Sequence, residues 1–264
     1  MHLYLCRPHW VTDPDHLARC HDLLDEEEKA RHARFKFERD ARLFLVSHAL
    51  VRTALSDFAA DVSVHPAAWR FETNAYGRPR IMQEDGAPGM HFSLTHTHGL
   101  AACVVASNAD VGVDAEAESR NLDTATLAPR IMSPSELARF QSASAAVQRK
   151  QFLSLWTLKE AFTKARGLGL NLPVEKLSFF VNGHTIHFGC PAEVEDKPGS
   201  WEFRLMQPTP EHYLSLVTRF VRETTPALQS KWYVPLVGER TTEQSPALLA
   251  STHPTRGVAT SSPS

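Results

Sequence analysis

The chain has 264 residues, 42% of them hydrophobic and 22% charged, with a formal net charge of −2. At roughly 150 residues per domain it forms one large domain or two small ones, and it is long enough to fold without disulfide or metal staples. The charge excludes a broad nucleic-acid coat and a polybasic membrane anchor, and the longest unbroken apolar run, residues 100–106, is far too short to span a bilayer. Met-His-Leu-Tyr-Leu at the start has no basic region leading into a long apolar stretch, so no signal peptide is expected. Cys6, Cys20, Cys103 and Cys190 lack pairing or zinc spacing and read as reduced thiols of a cytoplasmic protein.

Residues 2–6 alternate around Leu3 and Leu5 and predict a short strand. Asp25 with Glu28 makes a capping box, followed by Lys29, Arg31 and Arg34, a charge order that suits the helix dipole. Residues 41–59 carry Leu43, Val46, Leu50 and Ala54 at helical spacing. Strands are expected at 69–72, 80–82, 91–94, 100–106 and 111–116. Ser133-Pro134-Ser135-Glu136 is a second capped helix start, and residues 152–166 form a longer helix that Gly167 can end. Residues 177–181 and 185–188 flank Asn182-Gly183, a hairpin turn signal, and 201–206 and 213–220 predict two more strands.

Strand, capped helix, longer helix and several strands thus occur twice. Glu28 and Glu136 are 108 residues apart, as are Leu3 and Val111. The expected fold is α+β, two pseudo-symmetric halves over 1–108 and 109–235, each an antiparallel-rich sheet with packed helices. The cleft between halves is the expected ligand site. The last 24 residues hold ten Ser/Thr, three Pro and no aromatic, so a disordered tail is expected from residue 236.

Asp114 and Glu116 are two apart on a predicted strand, so both carboxylates share a face. A hard divalent cation relieves their repulsion; a solvated strand end is the alternative. Glu160 and Lys164 are one turn apart on one helix face. They are either a surface ion pair, or a third oxygen ligand or base beside a phosphate clamp, the set that Mg²⁺-assisted phosphoryl chemistry uses. Seven Lys/Arg stand against two acids from Lys29 to Arg52. Gly77-Arg78-Pro79 is a turn presenting a cation, and Thr95 and His96 at a strand end suit a phosphate contact. His91, His96 and His98 lack the partners and spacing of a zinc site.

Phe92-Ser93-Leu94-Thr95-His96, the Val111–Glu116 stretch and Trp156-Thr157-Leu158-Lys159-Glu160-Ala161-Phe162-Thr163-Lys164 resemble the motif set of the surfactin-synthetase-activating type of 4′-phosphopantetheinyl transferase. Gly77-Arg78-Pro79 and residues 27–35 resemble it as well, and the likeness extends over residues 1–220 in order. Ala115 departs from the branched apolar residue usual there. The resemblance implies a cytoplasmic monomer that moves 4′-phosphopantetheine from coenzyme A to a serine of an acyl or peptidyl carrier protein, releasing adenosine 3′,5′-bisphosphate. It implies Mg²⁺ on Asp114, Glu116 and Glu160, serine deprotonation through Glu160, and Lys164 on the departing phosphate. It further implies Arg31, Arg78, Ser93, Thr95 and His96 around the coenzyme's phosphates and adenine side. Neither nucleic acid nor membrane is an expected partner. A Mg²⁺-dependent phosphodiesterase or nucleotide hydrolase, and a non-catalytic carrier-binding module, are the competing readings.

Overall fold

The computed structural model describes residues 1–59, 64–82, 89–191, 194, 200–220 and 227–252. The first half runs β1 (His2–Cys6), α1 (Pro14–Asp22), α2 (Glu26–His32), α3 (Glu38–Phe58), β2 (Phe71–Thr73), β3 (Pro79–Ile81), β4 (Met90–Thr97) and β5 (Leu100–Ser107). The second runs β6 (Ala109–Ala117), α4 (Thr124–Ile131), α5 (Pro134–Ser142), α6 (Ala145–Arg166), β7 (Ser178–Asn182), β8 (Thr185–Gly189), β9 (Glu202–Thr209) and β10 (His212–Phe220). Three further strands follow, β11 (Gln229–Val234), β12 (Gly238–Glu239) and β13 (Ala247–Ser251). The expected repeat is present: each half places a strand, short helices and one long helix before its remaining strands. Among the described residues no helix is long and apolar enough to cross a membrane.

The strands make two main sheets, in the orders β12-β11-β1-β5-β4 and β6-β10-β9-β13-β8-β7, beside a small β2-β3 hairpin. Pairing is antiparallel except for β1 with β11 and β13 with β8. Helix α3 packs on β5 and β4, and α6 on β6 and β10.

Each long helix is fastened to its half by the same device. The glutamate of the capping box, Glu28 or Glu136, accepts from its N-cap backbone N–H and also pairs with a buried cation on the long helix. Arg52 reaches Glu28 at 2.6 Å and Lys159 reaches Glu136 at 2.7 Å. Arg52 is 1% exposed and Lys159 2%. Lys159 Nζ also donates to the carbonyls of Ile131, Val174 and Leu177 at 2.6 to 2.8 Å, so its ammonium is fully coordinated inside the core.

The chain after β10 departs from expectation. Strand β11 returns to pair with β1 in the first half's sheet, so the division at residue 108 is crossed. The disordered tail expected from 236 is corrected as well. Strand β13 pairs with β9 and β8, Trp232 Nε1 donates to Gln244 O at 2.7 Å, and Ala250 is buried in the second core. Averaging over 24 residues concealed the apolar run Ala247-Leu248-Leu249-Ala250. Residues 253–264 lie outside the described residues. Deleting 241–264 should lower the melting temperature by about 5 °C, since an inner strand and its buried side chains are lost. A melting curve unchanged by the truncation would contradict this placement of β13.

Candidate active site

The two sheets meet at their edge strands, β4 and β6. Side-chain hydroxyls of one strand stand in for a backbone ladder. Ser93 Oγ accepts from the N–H of Val113 at 3.2 Å, Thr95 Oγ1 from Ala115 at 3.2 Å, and Thr97 Oγ1 from Ala117 at 3.3 Å. The period of two puts all three hydroxyls on one face of β4, where they satisfy alternate N–H groups of β6. Helix α6 packs on the face of β6 that Gly112 shares with Asp114 and Glu116. A Cβ on Gly112 would stand 2.0 Å from Ala161 O and 2.6 Å from Ala165 N, so only glycine lets strand and helix lie this close. Thr157 Oγ1, hydrogen-bonded to Ser215 Oγ of β10 at 2.8 Å, ties the helix further.

This packing brings Asp114 and Glu116 under the α6 turn that carries Glu160 and Lys164. The four side chains line one cleft of about 320 Å³, together with Thr95, His96, Arg120 and Trp156. Asp114 and Glu116 are buried, 7% and 4% exposed, which removes the solvated strand end as an account of them. Lys164 does not form the helix-surface pair with Glu160. Its Nζ crosses to Asp114 Oδ1 at 2.8 Å and also reaches Val113 O at 3.1 Å. Thr95 Oγ1 donates to the same Asp114 oxygen at 3.2 Å. On the other carboxylate, Arg120 Nη1 donates to Glu116 Oε1. Asp114 Oδ2 and Glu116 Oε2 are buried without a hydrogen-bond partner.

The electrostatics follow from this crowding. Burial pushes the proton affinity of Glu160 up, Asp114 adds to the rise, and Lys164 opposes it. Burial also raises Glu116, against the pull of Arg120. His96 is depressed to about 4 by burial and then by His48, Lys164 and Arg31, so its imidazole is neutral at pH 7. Glu28 is raised by burial but lowered further by hydrogen bonds from His48 and Arg52, settling at about 2.

Residues 8–110 match the family model described as 4′-phosphopantetheinyl transferase, N-terminal, and residues 110–214 match that of the 4′-phosphopantetheinyl transferase superfamily. A 4′-phosphopantetheinyl transferase of Bacillus subtilis is 31% identical over 176 residues, 67% of this chain and 73% of that protein. The chain belongs to the 4′-phosphopantetheinyl transferase superfamily. Other similar proteins are the transferase HetI of Nostoc sp., 31% identical over 56% of this chain and 61% of its own length, and the transferase Sfp of Bacillus subtilis (strain 168), 27% identical over 67% and 73%. The two family models meet at residue 110, one residue into β6, in keeping with the two α+β halves.

Among the described residues, no group of three or more His, Cys, Asp or Glu is drawn together as a ready-made metal shell. Lys164 and Arg120 each hold one oxygen of a carboxylate. The donor set nonetheless fits a hard divalent cation, because the two partnerless oxygens are carboxylate oxygens buried in one cleft with a third carboxylate above them.

The remaining expected site residues are distributed differently. Thr95 and His96 line the cleft, with the Thr95 hydroxyl engaged by Ala115 and Asp114. Ser93 lies in the strand seam and is absent from the cleft lining. Arg31 stacks on Phe44 at 5.3 Å and acts on His96 through its charge. Arg78 does not line the cleft: its guanidinium donates to Ala165 O at 2.7 Å and Val111 O at 3.3 Å, tying the end of α6 to β6. Sequence reasoning missed Arg120 and His48. Arg120 carries a local signal, a cation four residues after Glu116, whereas His48 meets Glu28 and the field of His96 only through the tertiary fold.

Proposed function

We infer that this chain transfers 4′-phosphopantetheine from coenzyme A to a serine hydroxyl of an acyl or peptidyl carrier protein in a Mg²⁺-dependent reaction, as the surfactin-synthetase-activating type would. The observation that carries the reading is the joint presence, in one cleft, of two partnerless carboxylate oxygens, a third carboxylate with raised proton affinity, and a lysine. Asp114, Glu116 and Glu160 would hold the divalent cation, which when bound neutralises pyrophosphate oxygens. Glu160, with its raised affinity for a proton, is suited to receive the serine proton directly or through one water. The serine oxygen then bonds to the phosphorus bearing the pantetheine, and the bond from that phosphorus to the bridging oxygen breaks. Lys164 is one-third exposed on its side chain, so its ammonium can turn from Asp114 to the phosphate that leaves as adenosine 3′,5′-bisphosphate. Arg31 would meet further phosphate charge, and His96, neutral at pH 7, would offer a hydrogen bond. Monomeric action on the carrier is part of the same proposal.

Release of adenosine 3′,5′-bisphosphate only when an apo-carrier is present tests this. Release without a carrier would favour the phosphodiesterase reading.

Glu160 and Lys164 should separate kinetically. Glu160→Gln should lose most of kcat even at high Mg²⁺, because an amide neither carries the charge nor takes the proton. Lys164→Ala should lower kcat by about 100-fold while weakening coenzyme A binding much less, since its charge acts mainly on the leaving group. Near-normal rates in both variants would remove α6 from the chemistry.

The pH profile has a definite sign. Glu116 and Glu160 hold protons above the ordinary glutamate value of 4.5, and both must be ionised to bind a cation. At limiting Mg²⁺ the rate should therefore rise with pH along an acid limb displaced above that value, and the limb should move to lower pH as Mg²⁺ is raised, because cation and proton compete for the same carboxylates. A limb whose position does not depend on Mg²⁺ would contradict the roles given to these two residues.

A further inference from the structure

In the free protein two of the three cleft carboxylates are paired: Lys164 holds one oxygen of Asp114 and Arg120 holds one oxygen of Glu116. Arg120 differs from Lys164 in its setting. Its side chain is 50% exposed, and with His96 it lines both the cleft and a second, larger groove of about 1100 Å³. Its main chain is fixed from α6, where Arg149 Nε donates to Glu118 O at 3.1 Å and Arg149 Nη2 to Arg120 O at 2.6 Å. The backbone is thus anchored while half of the guanidinium side chain faces open space.

We propose that Arg120 is a phosphate-binding residue, parked on Glu116 in the free protein and passed to a phosphate of the ligand when the divalent cation arrives. This rests on the reading that Asp114 and Glu116 hold that cation. A guanidinium on Oε1 and a divalent cation on Oε2 of one carboxylate repel at a few ångströms. The arginine end of this pair is half exposed, so the guanidinium can swing away into solvent while the incoming cation takes over its charge on the buried Glu116. A phosphate oxygen beside the cation offers the planar guanidinium a bidentate partner in exchange. Glu116 trades arginine for metal, Arg120 trades carboxylate for phosphate, and each ligand promotes the binding of the other.

Mn²⁺ binding to the intact chain, followed by electron paramagnetic resonance without any anion, tests the exchange together with calorimetric binding of coenzyme A at saturating Mg²⁺. Arg120→Gln should bind Mn²⁺ about fivefold more tightly, having lost the competing charge. The same variant should bind coenzyme A about tenfold more weakly, having lost a charge-assisted contact. Arg120→Lys should lie between it and wild type in both. Weaker or unchanged Mn²⁺ binding in Arg120→Gln would show that the arginine merely supports Glu116 and would overturn the proposal. Asp114→Asn keeps the two readings apart. If it abolishes Mn²⁺ binding, the cation reading survives that failure. If wild type binds no Mn²⁺, or Asp114→Asn binds it as tightly as wild type does, both readings fall.

Discussion

Asp114→Ala is expected to abolish phosphopantetheinyl transfer while leaving the fold in place. The carboxylate sits at the centre of the cleft, with Oδ2 partnerless and Oδ1 held by Lys164 and Thr95. Removing it takes away one of three proposed oxygen ligands and leaves Glu116 and Glu160 to bind the cation alone. The stability cost should be within about 1 kcal/mol, since Lys164 is partly solvated and keeps its bond to Val113 O, and the two remaining carboxylates lose a repulsive neighbour. The check is paired: a melting curve within a few degrees of wild type, and transfer measured at ordinary Mg²⁺. Turnover within tenfold of wild type would remove Asp114 from the site.

Lys159→Met should do the opposite, destabilising the fold with no direct bearing on the chemistry. Lys159 and Glu136 are an ion pair inside the second core, and the lysine also neutralises three carbonyl oxygens. Losing one partner leaves the other buried and charged, at a cost of about 3–5 kcal/mol. That should lower the melting temperature by about 10 °C. Adding Glu136→Gln should recover part of the loss, because the amide oxygen still accepts one of the two backbone N–H groups that Glu136 caps. A shift below about 2 °C in the single variant would show that the pair is not what fastens α6.

These two residues show what was legible in the sequence. Both lie in motifs whose spacing marks them, yet spacing could not distinguish a lysine that closes a core from one that faces a cleft. Lys159 and Lys164 are five apart on one helix and point to opposite environments. The 3.6-residue period predicts that they diverge, but only the packed sheet decides which side is core. The paired carboxylates were readable because a strand's period of two fixes their common face, and the capped helices because the N-cap and N3 residues are local.

What the sequence hid was long-range satisfaction of polar groups. The family resemblance implied Ser93 and Arg78 beside the coenzyme, and in the fold Ser93 also accepts from Val113 N–H and Arg78 donates to two carbonyls. A hydroxyl or guanidinium is equally at home on a ligand or on an unpaired backbone group, and these backbone partners arise only from the meeting of β4 with β6 and of Arg78 with the end of α6. Strand β11 escaped for a related reason: its parallel pairing with β1 joins residues more than 200 positions apart and leaves no local signature.

Transfer to a carrier serine is read from the intact mass of a purified apo-carrier protein after incubation with the chain, coenzyme A and Mg²⁺. The carrier should gain the mass of one phosphopantetheine arm, adenosine 3′,5′-bisphosphate should appear in equal amount, and both should be lost with Asp114→Ala. Bisphosphate release with no mass gain on acyl or peptidyl carriers, or no reaction with either, would contradict it.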